Sequence, residues 1–197
     1  MSARVTVCVD FKSPHAWLAI APTRALEARL GERFDWRPRS VLPLPRPAPL
    51  GPHATRGERH RAVRAAYWER DLARYAESQG LHLRDPYREV DAVRPSLALL
   101  FLRERAPERA GELVAGAFEA IWQHDAAQAP LESLGPGFED WARKDGPEAL
   151  AANEAELEGL GVWNVPAYLV GGELFMGRQH LPMVEWLVRG RAGPAPI

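Results

Sequence analysis

The sequence predicts an α/β fold in which one sheet is assembled from the two ends of the chain around an all-helical insertion. Three observations predict it. A β-α-β pattern opens the chain, the periodicity through its middle is helical throughout, and a β-β-α pattern closes it. Residues 1–50 and 160–197 are therefore expected to form one discontinuous sheet domain, and residues 51–159 a helical insertion domain.

Each element follows from local pattern. Residues 5–11 are a weakly alternating β-branched run, as in a buried strand, and the run stops at Lys12-Ser13-Pro14. Trp17, Leu18, Ile20, Ala21, Ala25, Leu26 and Leu30 then recur at helical spacing. Ser13 is placed as the N-cap of this helix, Pro14 as its first residue and Gly31 just past its end. Pro22 falls inside it and is expected to kink it or open a turn, because proline removes one N–H from the ladder. Residues 34–37 read as a second strand, which makes the opening a parallel crossover unit. Six prolines between residues 38 and 52 exclude a helix or central strand and imply a stiff connector.

Residues 57–80 predict a long amphipathic helix with Val63, Ala66, Tyr67, Leu72, Tyr75 and Ala76 at its apolar positions and Gly80 as its stop. Further helical patterns cover 96–106, 109–123, 137–143 and 147–159. Strand character returns at 166–170, and Gly171-Gly172 before 173–175 is a hairpin signal. Leu181, Val184, Leu187 and Val188 make a last helix with Pro182 in its first turn.

Composition narrows the function. The chain has 197 residues and a single cysteine, Cys8, which excludes a disulfide scaffold, a cysteine zinc site and an internal dithiol cycle. Cys8 lies in the first predicted strand and is read as a buried structural thiol. The start of the sequence lacks the apolar stretch of a signal peptide, and no apolar run reaches the roughly 18 residues that span a bilayer. A cytoplasmic location is expected. The net charge of −1 implies neither nucleic acid nor membrane as a partner. Charge is nevertheless uneven: residues 33–74 carry ten arginines against four acids, and residues 104–158 carry thirteen acids against four cations. Two solvated faces of opposite sign is the plainer reading; arginines offered to a small carboxylate ligand is the sharper one. The remaining histidines have no metal-ligand spacing, and hydrolase and nucleotide-binding motifs are missing.

Four stretches then stand in order along the chain: Asp10-Phe-Lys-Ser-Pro-His-Ala-Trp-Leu-Ala19, Phe34-Asp-Trp-Arg-Pro38, Tyr67-Trp-Glu-Arg-Asp-Leu-Ala-Arg74 with Gly80-Leu-His-Leu83, and 161–177. In these the sequence resembles the thioredoxin-fold family of kappa-class glutathione transferases and 2-hydroxychromene-2-carboxylate isomerases, within the clan of periplasmic-type disulfide oxidoreductases. The resemblance implies a thioredoxin-like β-α-β…β-β-α sheet. Ser13 occupies the place of the clan's attacking cysteine and Ala16 that of the resolving one, so dithiol chemistry is excluded there. A helix N-terminus still stabilises a thiolate brought by a ligand. The resemblance names that ligand as glutathione and gives Ser13 the role of orienting and ionising its thiol.

The same resemblance places a cis-proline at Val165-Pro166, whose backbone pairs with the cysteinyl part of glutathione. It places the γ-glutamyl end at Met176-Gly177-Arg178-Gln179, where Gln179 and His180 replace the usual Asp-Arg pair and remove the charged partner of the amino group. Arg46, in the loop after the second strand, and His15, in the active turn, are the candidates for binding the second substrate and moving a proton. Trp68 and Trp122 are candidate pocket walls or core residues. By resemblance the protein is expected to be a glutathione-dependent isomerase acting on an aromatic carboxylate, a homodimer like its relatives. A kappa-like transferase and a binding protein without a redox dithiol are the alternatives.

Overall fold

Val7, Cys8 and Val9 are buried on both faces of β1 (Thr6–Val9), as a continuous apolar run requires. The computed structural model describes residues 4–124, 131 and 134–196. β1 pairs in parallel with β2 (Asp35–Pro38) and antiparallel with β3 (Ala167–Val170), which pairs antiparallel with β4 (Glu173–Met176). The strand order is β2-β1-β3-β4, so the two ends of the chain share one mixed sheet with a thioredoxin-like arrangement. Pro38 stands at the end of an edge strand, where the missing N–H costs little.

α1 (Pro14–Leu30) crosses between the parallel strands. Gly31 closes it at φ 64°, the left-handed region that glycine enters without a Cβ clash. Pro22 does not open the expected turn: the helix is continuous through it. A residue-22 N–H would have bonded the Leu18 carbonyl; instead that carbonyl accepts from Nε2 of Gln79 at 2.9 Å.

α2 (Arg56–Ser78) starts at a capping box between Thr55 and Glu58. Its buried positions are Ala65, Leu72 and Ala76. The predicted apolar face is therefore corrected, because Val63, Ala66, Tyr67 and Tyr75 are exposed. One narrow stripe packs on α1, and the adjoining stripe faces the proline-rich segment and a cleft described below.

α3 (Val93–Arg105) is buried from Pro95 to Leu102 and lies against β2, α4 (Ala110–Glu119), α5 (Pro136–Lys144) and α6 (Gly146–Gly159). After α4 the chain widens into a π-helical turn, Ala120–His124, which delivers Trp122 to the interior. Trp122 is fully buried, stacks on Trp17 at 5.5 Å, and donates its Nε1–H to the Phe11 carbonyl at 3.0 Å. It is a core residue. α7 (Leu181–Val188) closes the chain against α1 and β3.

Part of the uneven charge is paired inside the molecule. Arg37, 4% exposed, donates to both carboxylate oxygens of Glu156 at 2.7 and 2.6 Å and to Asn153 Oδ1 at 2.9 Å. Arg39 pairs with Glu154, and Arg103 donates to both oxygens of Asp35. Arginines of β2 and its exit thus hold the acidic α6 to the sheet. Asp125 and Glu132 of the acidic stretch lie outside the described residues.

Candidate active site

The turn after β1 is fixed by the buried Asp10. Its carboxylate accepts the backbone N–H of Lys12 at 3.1 Å and of Val41 at 2.8 Å, and pairs with Lys12 Nζ at 2.7 Å. Its carbonyl accepts the Ser13 N–H at 2.9 Å. Ser13 is thereby held at the start of α1, with Oγ accepting the Ala16 N–H at 3.2 Å. That bond uses an oxygen lone pair and leaves the hydroxyl proton free to be donated. Ala16, the residue a redox dithiol would need as cysteine, is fully buried.

A second wall comes from the approach to β3 and the exit of β4. The Val165–Pro166 peptide is cis. The Val165 N–H donates to Asn164 Oδ1 at 2.9 Å, and the Gly177 N–H donates to the Pro166 carbonyl at 2.8 Å. Gly177 has φ 105°, and a Cβ there would collide with the Gln179 amide, which folds back to donate to the Met176 carbonyl at 3.2 Å. The third wall is α2, through Tyr67, Trp68, Asp71 and Tyr75.

Ser13, His15, Val165, Pro166, Met176, Gly177, Arg178 and Gln179 all line this one cleft of about 640 Å³. Arg46 does not. It pairs with Asp85 and lies over the Tyr87 ring at 5.0 Å, in a neighbouring groove. Trp68 does line the cleft, with its ring edge-on to His15 at 6.3 Å.

Electrostatics divide the cleft into distinct places. Arg178 is half-buried against the Tyr75 ring, its Nη1 is buried without a hydrogen-bond partner, and desolvation lowers its pKa. That nitrogen keeps donor capacity that a bound acceptor would fill. His15 is held below its ordinary pKa of 6.5, first by burial and then by the charge of Arg178, so its imidazole is neutral near pH 7. Asp71 places a carboxylate near both groups. Cys8 is no competitor: burial pushes its thiol up to about 12, which removes the thiolate form at neutral pH.

Lys12, Asn164, Trp163 and the α2 residues Asp71 and Tyr75 were missed as site residues on sequence. Tyr67, Asp71 and Tyr75 are spaced four apart, so the stripe itself was visible. Its direction was not, because the same spacing describes a core face.

The chain matches the model of the DSBA-like thioredoxin domain over residues 4–188 and belongs to that family. Its structure is similar to that of a 2-hydroxychromene-2-carboxylate isomerase, with a TM-score of 0.71 at 22% identity over 95% of this chain and 94% of the other. It is also similar to the cytosolic disulfide reductase DsbM from Pseudomonas aeruginosa, determined with GSH, with a TM-score of 0.55 at 15% identity over 95% and 98% of the two chains. At these identities the likeness is one of fold. No curated protein matches the sequence. Among the described residues no helix is long and apolar enough to cross a membrane.

Proposed function

We propose that the protein is a glutathione-dependent isomerase acting on an aromatic α-keto acid. The observation that carries this reading is the pairing, in one cleft, of a Ser13 hydroxyl free to donate with the orphaned Nη1 of Arg178, on a chain whose own thiol is inert. The cleft fits glutathione on chemical grounds. Arg178 supplies the missing partner of a carboxylate, and Asp71 supplies a charged partner for an ammonium where Gln179 has only a neutral carbonyl. Asn164 holds the Val165 N–H through its Oδ1 and leaves its amide N–H groups for a ligand in the cleft.

When bound, glutathione supplies a thiolate that adds to a conjugated double bond and leaves after rotation, with no net redox change. Ser13 Oγ donates its proton toward the sulfur, and the first-turn amides of α1 add a partial positive charge. The neutral imidazole of His15 takes the thiol proton before addition and returns it to the sulfur when the thiolate leaves the isomerised product. Asp10 and Lys12 keep this turn rigid. Leu42 and Trp163, both exposed, line the cleft and give an aromatic co-substrate an apolar surface.

Calorimetric titration of reduced glutathione tests the reading. Saturable binding to wild type is expected, weakened at least tenfold in Arg178→Met. No binding at millimolar ligand sinks it. Isomer or conjugate as the product of turnover separates isomerase from transferase.

A further inference from the structure

α2 has a third face, turned away from both the core and the Ser13 cleft. Opposite its buried Ala65, Leu72 and Ala76 stand Arg56, Arg59, Val63, Ala66, Arg70 and Arg74, three or four residues apart along about 27 Å of helix. All six are exposed, Val63 by 67%. The face is one-sided in charge. Arg56, Arg59 and Arg70 form no salt bridge with any described residue, and Glu77 in the last turn is its single acid. Arg59 and Arg70 donate only to backbone carbonyls, of Ala54 and Ala66, and Arg74 pairs with Asp71 at 3.2 Å. An apolar centre is thus flanked at both ends by cations without acids.

The chain carries a counterpart of matching length. α6 buries Gly146, Asn153 and Leu157 and turns Glu148, Ala151, Ala152, Ala155 and Glu158 outward, all five exposed. Glu154 and Glu156 are taken by Arg39 and Arg37, whereas Glu148 and Glu158 form no salt bridge with any described residue. Those two acids are ten residues apart, about 15 Å, and Arg59 and Arg70 are eleven apart, about 17 Å. Between the charged ends, Val63 and Ala66 would meet three alanines, whose small side chains let two helix axes approach to the usual separation of about 8–10 Å. Both faces are exposed in one chain, so their pairing takes place between chains.

We propose that the outer face of α2 docks on the outer face of α6 in a second copy of this chain. The contact joins unlike faces: α2 does not meet α2, and every copy offers one basic and one acidic face. One helix pair is small beside the roughly 1,200 Å² that stable complexes bury, so the association is weak. It depends on charges that salt screens. Neither face includes Ser13 or Arg178, so the inference stands apart from the glutathione reading.

Sedimentation velocity of the full chain against concentration tests it. In about 0.02 M salt the wild-type weight-average mass should rise with concentration, and in about 0.5 M salt the rise should vanish. Arg59→Glu/Arg70→Glu and Glu148→Lys/Glu158→Lys each set like charges face to face, and each alone should lose the rise. Mixed one to one, the two variants should associate again at low salt, because the unchanged face of each meets the unchanged face of the other and the two reversed faces are also complementary. Val63→Glu, a single change at the centre of the α2 face, should weaken association at least tenfold. Far-ultraviolet circular dichroism should be the same in all the variants as in wild type, since every altered position is exposed. A wild-type mass independent of concentration at low salt overturns the proposal. So does a salt-dependent rise that survives in either double variant, wild-type affinity in Val63→Glu, or a mixture that stays unassociated.

Discussion

Ser13 caps α1 and, in the proposed mechanism, donates a proton to the ligand's sulfur, and two substitutions separate the two. Ser13→Ala removes both and should cost about 1 kcal/mol of stability by denaturant titration. Ser13→Asp keeps an equally good cap and should hold stability, yet it sets a negative charge against a thiolate and should lose thiol activation as fully as alanine does. His15 makes a pH prediction with a definite sign. Its folded-state pKa lies below 6.5, so the unfolded chain binds the proton more readily. Its contribution is intact above about pH 6.5 and is lost as pH falls toward the folded-state value. Wild type should therefore lose more stability between about pH 7 and pH 5 than His15→Gln does, measured by urea unfolding at each pH. Cys8 should resist a thiol reagent in the native protein and react as one equivalent after denaturation; fast native reaction would contradict its burial.

At the level of elements, the interior proline of α1 is accommodated by a side chain from outside the helix. Gln79→Ala should strand the Leu18 carbonyl and cost about 1–3 kcal/mol. Pro22→Ala restores the missing N–H, so the same Gln79 substitution should cost about 0.5 kcal/mol or less in that background, read from a double-mutant cycle. Equal costs in both backgrounds would contradict the arrangement. The contrast shows what is legible in a sequence. Ser13, Pro14 and Gly31 act on their own helix, and Gly171-Gly172 acts on its own hairpin, so their chemistry can be read locally. The Gln79 bond joins residues 61 apart in sequence, and no local pattern marks it. The outward stripe of α2 failed for a related reason: apolar spacing reports a face, while the neighbour decides whether that face is core or cleft.

For the whole molecule, the same distinction governs the site. The turn at Ser13 and the loops at Val165 and Met176 were found because resemblance to a known family located them, and the fold brings them to one cleft. Asp71 and Lys12 were missed because their significance lies in what faces them. The charge asymmetry was visible as composition, but its partition was not. Arg37 and Arg39 bind α6 to the sheet, while Arg178 keeps a buried Nη1 without a hydrogen-bond partner at the cleft. The chain thus has a DSBA-like thioredoxin fold whose single thiol is buried in β1. In the function proposed above, the reactive sulfur arrives with the ligand and is ionised at Ser13. The direct measurement is the thiol pKa of bound glutathione, followed by thiolate ultraviolet absorbance against pH. The account predicts a value at least about one unit below that of free glutathione in wild type, and no such depression in Ser13→Ala or Ser13→Asp. Bound glutathione with the pKa of the free tripeptide in wild type, or the same depression in all three proteins, would contradict it.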